Sequence, residues 1–162
     1  CENDCEVFCV FTRYGEEVTK FELGDEVYLD IIHKTSQHFD NNAMWSSIAS
    51  GSFNVDSMVV IPCSMKTLAC IANGITDNLL VRAADVTLKE RRKLILVTRE
   101  SPYNSIHLKN MLVLSNIGVN IIPASPSFYH RPQTIDDLVN AFVMRVCDAI
   151  GVKTTLAKRW GE

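Results

Sequence analysis

Apolar residues run along this chain in short bursts separated by longer amphipathic stretches. Residues 6–12, EVFCVFT, are rich in β-branched and aromatic side chains and predict a strand; residues 13–21 are polar and glutamate-rich and predict a helix. Three further bursts, SMVVIP at 57–62, KLILVT at 93–98 and VNIIP at 119–123, are near-continuously apolar, as in strands covered on both faces. Helical periodicity fills the intervals at 65–72, 78–91 and 106–116, and returns at 135–150. Residues 24–54 hold no sustained period. Asp40-Asn41-Asn42 and the small-residue run from Ser46 to Ser52 predict loop and short helix there, with the character of a site loop. Strands alternating with helices predict an α/β fold: a doubly wound, Rossmann-like (flavodoxin-like) parallel sheet with helices on both faces.

A length of 162 residues with 47% hydrophobic content suits one buried core, and no repeat, low-complexity tract or linker interrupts it. A single domain over residues 1–162 is expected. The apolar bursts are far shorter than the roughly 20 residues that span a bilayer, and no secretory signal pattern opens the sequence. No membrane association is expected, and the cytoplasm is the default location. A net charge of −3 provides no global basic field, which argues against nucleic acid as a partner. The six cysteines read as free, mostly buried thiols, since a Val/Ile/Leu core needs no disulfide staples. Cys1, Cys5 and Cys9 are spaced suggestively, but no CxxC pair or nearby histidine completes a zinc site, so no metal is expected.

In an open parallel sheet the ligand crevice lies beyond the carboxyl ends of the strands. Those ends read Thr12-Arg13, Cys63-Ser64-Met65-Lys66-Thr67, Thr98-Arg99-Glu100, and Ala124-Ser125 onward to Tyr129-His130-Arg131. Hydroxyl, basic and acidic groups concentrated after apolar strands make a mouth suited to an anion. Ser64 to Thr67 sets two hydroxyls, a lysine and backbone N–H groups at a helix start, where the dipole favours phosphate. Ser64 read alone is an N-cap. Arg99 and Glu100 place opposite charges together, either to handle protons or as a structural ion pair at the rim.

Several long motifs, in order, carry a resemblance across residues 48–152: ASGSF at 49–53, PCSMKTLA at 62–69, DNLLVRAADVTLKERR at 77–92, LVTRE at 96–100, IHLKNM at 106–111 and FYHRPQTIDDLV at 128–139. Through them the chain resembles the UbiX-type flavin prenyltransferases. The resemblance implies a transferase that joins a dimethylallyl group from dimethylallyl phosphate to reduced FMN, building a fourth ring, without a metal. It implies that the prenylated FMN serves UbiD-type decarboxylases, and that the protein assembles as a homododecamer with sites between subunits. By motif, Thr12, Ser64, Met65, Lys66, Thr67 and Arg99 would contact FMN, with Thr12 standing where the family usually has serine. Arg82 would reach a phosphate across a subunit boundary or tie helices together. Lys89, Tyr129 and Arg145 would hold the allylic phosphate, Gly51 would allow close backbone approach, and Glu100, with Lys89, would serve the chemistry. Cations at a departing phosphate stabilise its developing charge.

Bland readings stand beside these. Lys89 lies in the charge run KERRK and Arg145 on a helix where a solvated arginine is ordinary. Trp45 is either an apolar wall for the prenyl group or a core aromatic. His33 and His38 read as surface, and His107 and His130 lie in motifs without a role. The family's opening strand and Gly-Ala-Ser-Gly loop have no counterpart before Cys1, so the natural chain is expected to be longer. A loss of that loop would favour an alternative function, a non-catalytic FMN-binding accessory subunit of a decarboxylase. A flavin-dependent cysteine decarboxylase of related fold is a further alternative, disfavoured by the motif from Tyr129 to Arg131.

Overall fold

The structure, a computed structural model, describes residues 5–159 and Gly161. The expectation of a free thiol at Cys1 lies outside the described residues. In chain order the elements are β1 (Phe8–Phe11), α1 (Arg13–Leu23), α2 (Asp25–His33), β2 (Gln37–Asp40), a 3-10 turn (Ser47–Ala49), β3 (Ser57–Cys63), α3 (Met65–Ala72), α4 (Leu79–Lys89), β4 (Lys93–Thr98), α5 (Ser105–Asn116), β5 (Asn120–Pro123) and α6 (Ile135–Ile150). They fall into two compact units, one of Cys1–Asn54 with Gly74–Glu90, the other of Val55–Asn73 with Arg91–Glu162.

In the first unit β1 pairs in parallel with β2, from Phe8 opposite Gln37 to Phe11 opposite Asp40. Aromatic edges pack around this ladder: Phe8 meets Phe53 at 5.0 Å and Phe11 meets Tyr28 at 5.1 Å between ring centroids. Seven α4 residues, from Leu79 to Thr87, are buried. The helix starts where Asn78 caps the Val81 N–H. The loop residue Asn41 accepts from Leu79 N–H through its carbonyl at 2.8 Å and from Leu80 N–H through its side chain at 3.0 Å. Those bonds satisfy amides that a helix leaves without intrahelical acceptors.

The second unit is a parallel ladder in the order β3-β4-β5. β4 is its middle strand, and Leu94 to Thr98 are all at most 2% exposed. Side chains alternate across a strand, so Ile95 and Val97 pack with Val146 of α6, alongside Val59, Ile122 and Phe142. Leu94, Leu96 and Thr98 take the opposite face. Leu68 of α3 and Leu114 of α5 are fully buried, and these two helices pack together. α6 opens with a reciprocal box in which Thr134 and Asp137 cap one another's backbone, and closes at Gly151, which adopts φ 92°.

The alternation of parallel strands and helices agrees with the sequence pattern. Two features differ from it. Among the described residues the five strands form two ladders of two and three strands rather than one. Residues 24–54, read as loop and short helix, contain α2 and β2 as well as the 3-10 turn. β2 is four residues with only Phe39 buried, too short to show alternation. α2 begins at the glycine that ends α1: Gly24 has φ 92°, a conformation natural to glycine, and its amide returns to Lys20 O. The turn had looked like the end of order rather than a joint between helices. Among the described residues no helix is long and apolar enough to cross a membrane.

Two tests follow from this packing. Leu96→Ala, at the fully buried centre of β4, is expected to cost about 2–5 kcal/mol in urea denaturation, far more than Ile61→Ala, whose side chain is 54% exposed. Backbone N–H groups of Gln133 and Thr134 hold the Asp137 carboxyl below its usual range. Its contribution to stability is therefore present above the ordinary carboxyl range and lost as pH falls through its lowered pKa. Asp137→Asn should flatten the acid end of a stability-against-pH curve while leaving the neutral-to-alkaline shape intact.

Candidate functional site

In the second unit the chemistry-bearing residues gather where strands end. At the end of β3 the Cys63 side chain is fully buried, and burial pushes its thiol up to about 12. It is a neutral packing group, not a nucleophile. The next residue is exposed: Ser64 Oγ accepts from Thr67 N–H at 3.2 Å and lies 3.1 Å from Thr67 Oγ1, capping α3. The hydroxyl singled out in the sequence is thus the one that caps the helix. With the positive end of the helix dipole and the exposed Lys66, this turn is suited to an anion. Met65 is half-buried beside it.

β4 ends the same way. Thr98 is buried, with its hydroxyl 3.3 Å from Tyr103 Oη, and Arg99 and Glu100 emerge exposed. Glu100 Oε1 accepts from Ser101 N–H at 3.0 Å. Among the described residues no ion pair joins Arg99 to Glu100, so the reading of a structural pair at the rim has no support in this geometry. Tyr129 lies after β5, with its ring edge-on to His130 at 5.5 Å. It lines a cavity of about 240 Å³ with Ala141, Met144, Arg145, Asp148 and Arg159. Arg159 binds Asp148 bidentately, Nη1 to Oδ2 and Nη2 to Oδ1, both at 2.8 Å. Those bonds hold the Asp148 carboxyl below its usual range, and the nearby positive charge of Arg145 pulls the same way.

The first unit holds the other residues. Thr12 Oγ1 accepts from Gly15 N–H at 3.0 Å and caps α1. Arg82 donates from Nε to Ala49 O and from Nη1 to Asp85, each at 3.2 Å, which ties α4 to the 3-10 turn. Lys89 Nζ contacts Glu90 Oε1 at 2.8 Å. Gly51 lies against this pair: a Cβ there would run into the Glu90 carboxylate and come within 3.1 Å of Lys89 Nζ. Gly51 and Lys89, singled out separately in the sequence, are therefore neighbours. Trp45 is 87% exposed, which removes the core reading of that aromatic. His33 is exposed, His38 half-buried, and His107 completes the Asn104 capping box of α5.

Sequence reasoning passed over Glu90, Asp148 and Arg159. Glu90 was hidden in the charge run after α4. Asp148 follows Arg145 by three residues on α6, a spacing that makes helical neighbours, and that was the available signal. Nothing local marked Arg159. Cys63 and Cys70 are buried, Cys9 and Cys147 half-buried and Cys5 exposed, all as free thiols. Among the described residues no group of three or more His, Cys, Asp or Glu is arranged to hold a metal.

The Flavoprotein family profile matches residues 2–147. The flavin prenyltransferase UbiX of Methanocaldococcus jannaschii is 46% identical over 156 residues, spanning 96% of this chain and 84% of that protein. The chain belongs to the UbiX family. The UbiX relative from Alkalihalophilus pseudofirmus is matched over less of its length, 58%, at 56% identity across 71% of this chain. The crystal structure of AnUbiX (PadA1), in complex with FMN and dimethylallyl pyrophosphate, superposes with a TM-score of 0.94 at 40% identity, covering 98% of this chain and 84% of that one. The dodecameric FMN-dependent UbiX-like decarboxylase from Escherichia coli O157:H7 gives 0.92 at 42%, covering 98% and 85%. The UbiX fold is thereby shared, doubly wound α/β of the flavodoxin-like kind.

The close approach at Gly51 is testable. Gly51→Ala is expected to lower stability by about 1 kcal/mol, the mild end of overpacking, because the obstruction is the tip of a flexible side chain. In the Glu90→Ala background the same substitution should cost measurably less in urea denaturation, as coupling through direct contact requires. Equal costs in both backgrounds would remove Glu90 as the neighbour that demands glycine.

Proposed function

We propose that this chain is a flavin prenyltransferase: it joins a dimethylallyl group from dimethylallyl phosphate to reduced FMN, giving prenylated FMN for UbiD-type decarboxylases. The observation that carries the reading is the 46% identity to a flavin prenyltransferase along nearly the whole chain; Lys89, Glu100, Tyr129 and Arg145, which the resemblance assigns to the chemistry, support it. The reading favours a transferase over a non-catalytic accessory subunit, because Lys89, Glu100, Tyr129 and Arg145 would serve no purpose in mere flavin storage.

On this reading Ser64, Met65, Lys66 and Thr67 at the start of α3 contact FMN, with Arg99, Thr12 and Arg82. Gly51, Lys89, Tyr129 and Arg145 hold the allylic phosphate. When the allylic carbon–oxygen bond breaks, its electron pair leaves with phosphate; two cations and a phenol stabilise that charge. Glu100, exposed at the end of β4, takes or returns the proton exchanged as the flavin gains its new bonds. FMN is a substrate of this reaction and no metal takes part.

The chain works as one flavoprotein domain in the cytoplasm, without nucleic acid or membrane as a partner. Its assembly is a homododecamer. The exposed Ile106, Leu108, Leu112 and Val113 of α5 are apolar surface that such an assembly would cover.

Anaerobic incubation with reduced FMN and either dimethylallyl phosphate or the pyrophosphate, followed by mass spectrometry of the extracted flavin, tests the function. A gain of one dimethylallyl unit is expected, and Glu100→Gln should slow it by about 10²–10⁴, the usual range for a lost proton-transfer group. FMN that binds but never changes mass would replace this reading with the accessory one.

A further inference from the structure

We propose that Arg159 is a positioning residue for the anionic group bound by Arg145: by claiming Asp148, it keeps Arg145 available to the ligand. The proposal rests on the reading of Arg145 and Tyr129 as phosphate-binding residues, and it adds a residue to that site which no motif contains.

Arg145 and Asp148 lie three apart on α6, where side chains are neighbours on a helix surface and opposite charges attract. Both border the 240 Å³ cavity that Tyr129 lines, and both also border a second of about 520 Å³ formed with residues 120–123 and Ala149. An arginine beside an unclaimed carboxylate would fold onto it, and its charge would be cancelled where an anion needs it. That is not the arrangement here. Both oxygens of Asp148 accept from Arg159, in the two-bond fork that suits guanidinium and carboxylate. Among the described residues no ion pair joins Asp148 to Arg145. Asp148 still feels Arg145, whose charge helps to hold its carboxyl ionised.

The three groups together leave one net positive charge at the cavity wall, carried by Arg145, for which no ion pair is formed among the described residues. Removing Arg159 leaves Asp148 to neutralise Arg145. Arg159 therefore acts on the ligand through Asp148, without contact. Because these groups are partly open to water, the effect must weaken as salt screens them.

The test is a double-mutant cycle, with inorganic phosphate and dimethylallyl phosphate as separate titrants in calorimetry and circular dichroism to confirm folding. Arg159→Leu should weaken binding of either titrant about tenfold at low ionic strength, in the range for a charge change beside a charged ligand, and by less at high salt. Asp148→Asn should bind at least as well as the original chain, and Arg159→Leu with Asp148→Asn should recover binding. A purely structural tether predicts otherwise: Asp148→Asn would be as damaging as Arg159→Leu, the double variant would recover nothing, and salt would not matter. That pattern, or an unchanged affinity in Arg159→Leu, overturns the proposal. If the original chain holds inorganic phosphate but not dimethylallyl phosphate, the transferase reading fails, while the cycle on inorganic phosphate still decides the role of Arg159. If it holds neither, both fall.

Discussion

From Leu94 to Thr98, β4 has no face turned to water. A strand buried on both sides must be apolar throughout, must have its backbone groups paired by neighbours, and must be covered above and below. These demands lead to parallel partners reached through helical crossovers. They also decide where charge can appear, since from Leu94 to Thr98 no ionised group is tolerable and Arg99 is the first position at which one is. The boundary at the end of β3 is as sharp, with Cys63 buried and neutral and Ser64 exposed one residue later. Ser64, Arg99 and Glu100 lie at strand ends because the strand interiors refuse such groups.

A second theme is that the residues suited to a ligand are engaged within the chain. Thr12 and Ser64 cap helices, Lys89 meets Glu90, and Arg82 is shared between a carbonyl and Asp85. Exposed ion pairs of this kind contribute little, about 0–1 kcal/mol, so on the proposed reading a phosphate would displace them at small cost. On the proposed reading they keep long, flexible cations near one geometry before a ligand arrives, which would reduce the ordering cost of binding.

Much of this architecture was legible in the sequence because the apolar bursts at 57–62, 93–98 and 119–123 are long enough to be unmistakable and α3 and α4 between them are strongly periodic. α3 and α6 fall at the predicted residues, and β4 does as well. β2 and α2 escaped because their identity comes from partners rather than composition: β2 is a strand through its pairing with β1, and α2 is set by a glycine joint. The same distinction runs through the site. Ser64, Lys89 and Glu100 could be found because they lie in long motifs, whereas Arg159 belongs with Asp148 only through a contact that closes eleven residues later.

Asn41 deserves its place in this picture through mechanics rather than chemistry. Its two hydrogen bonds pin the first turn of α4 to the end of β2. A helix rises about 1.5 Å per residue and is stiff over such a length, so fixing Leu79 also fixes where Lys89 falls, about 15 Å further along the axis. The loop that looked like a gap in the pattern is the anchor of a lever, and an error in its seating would be delivered, undiminished, to the lysine at the far end.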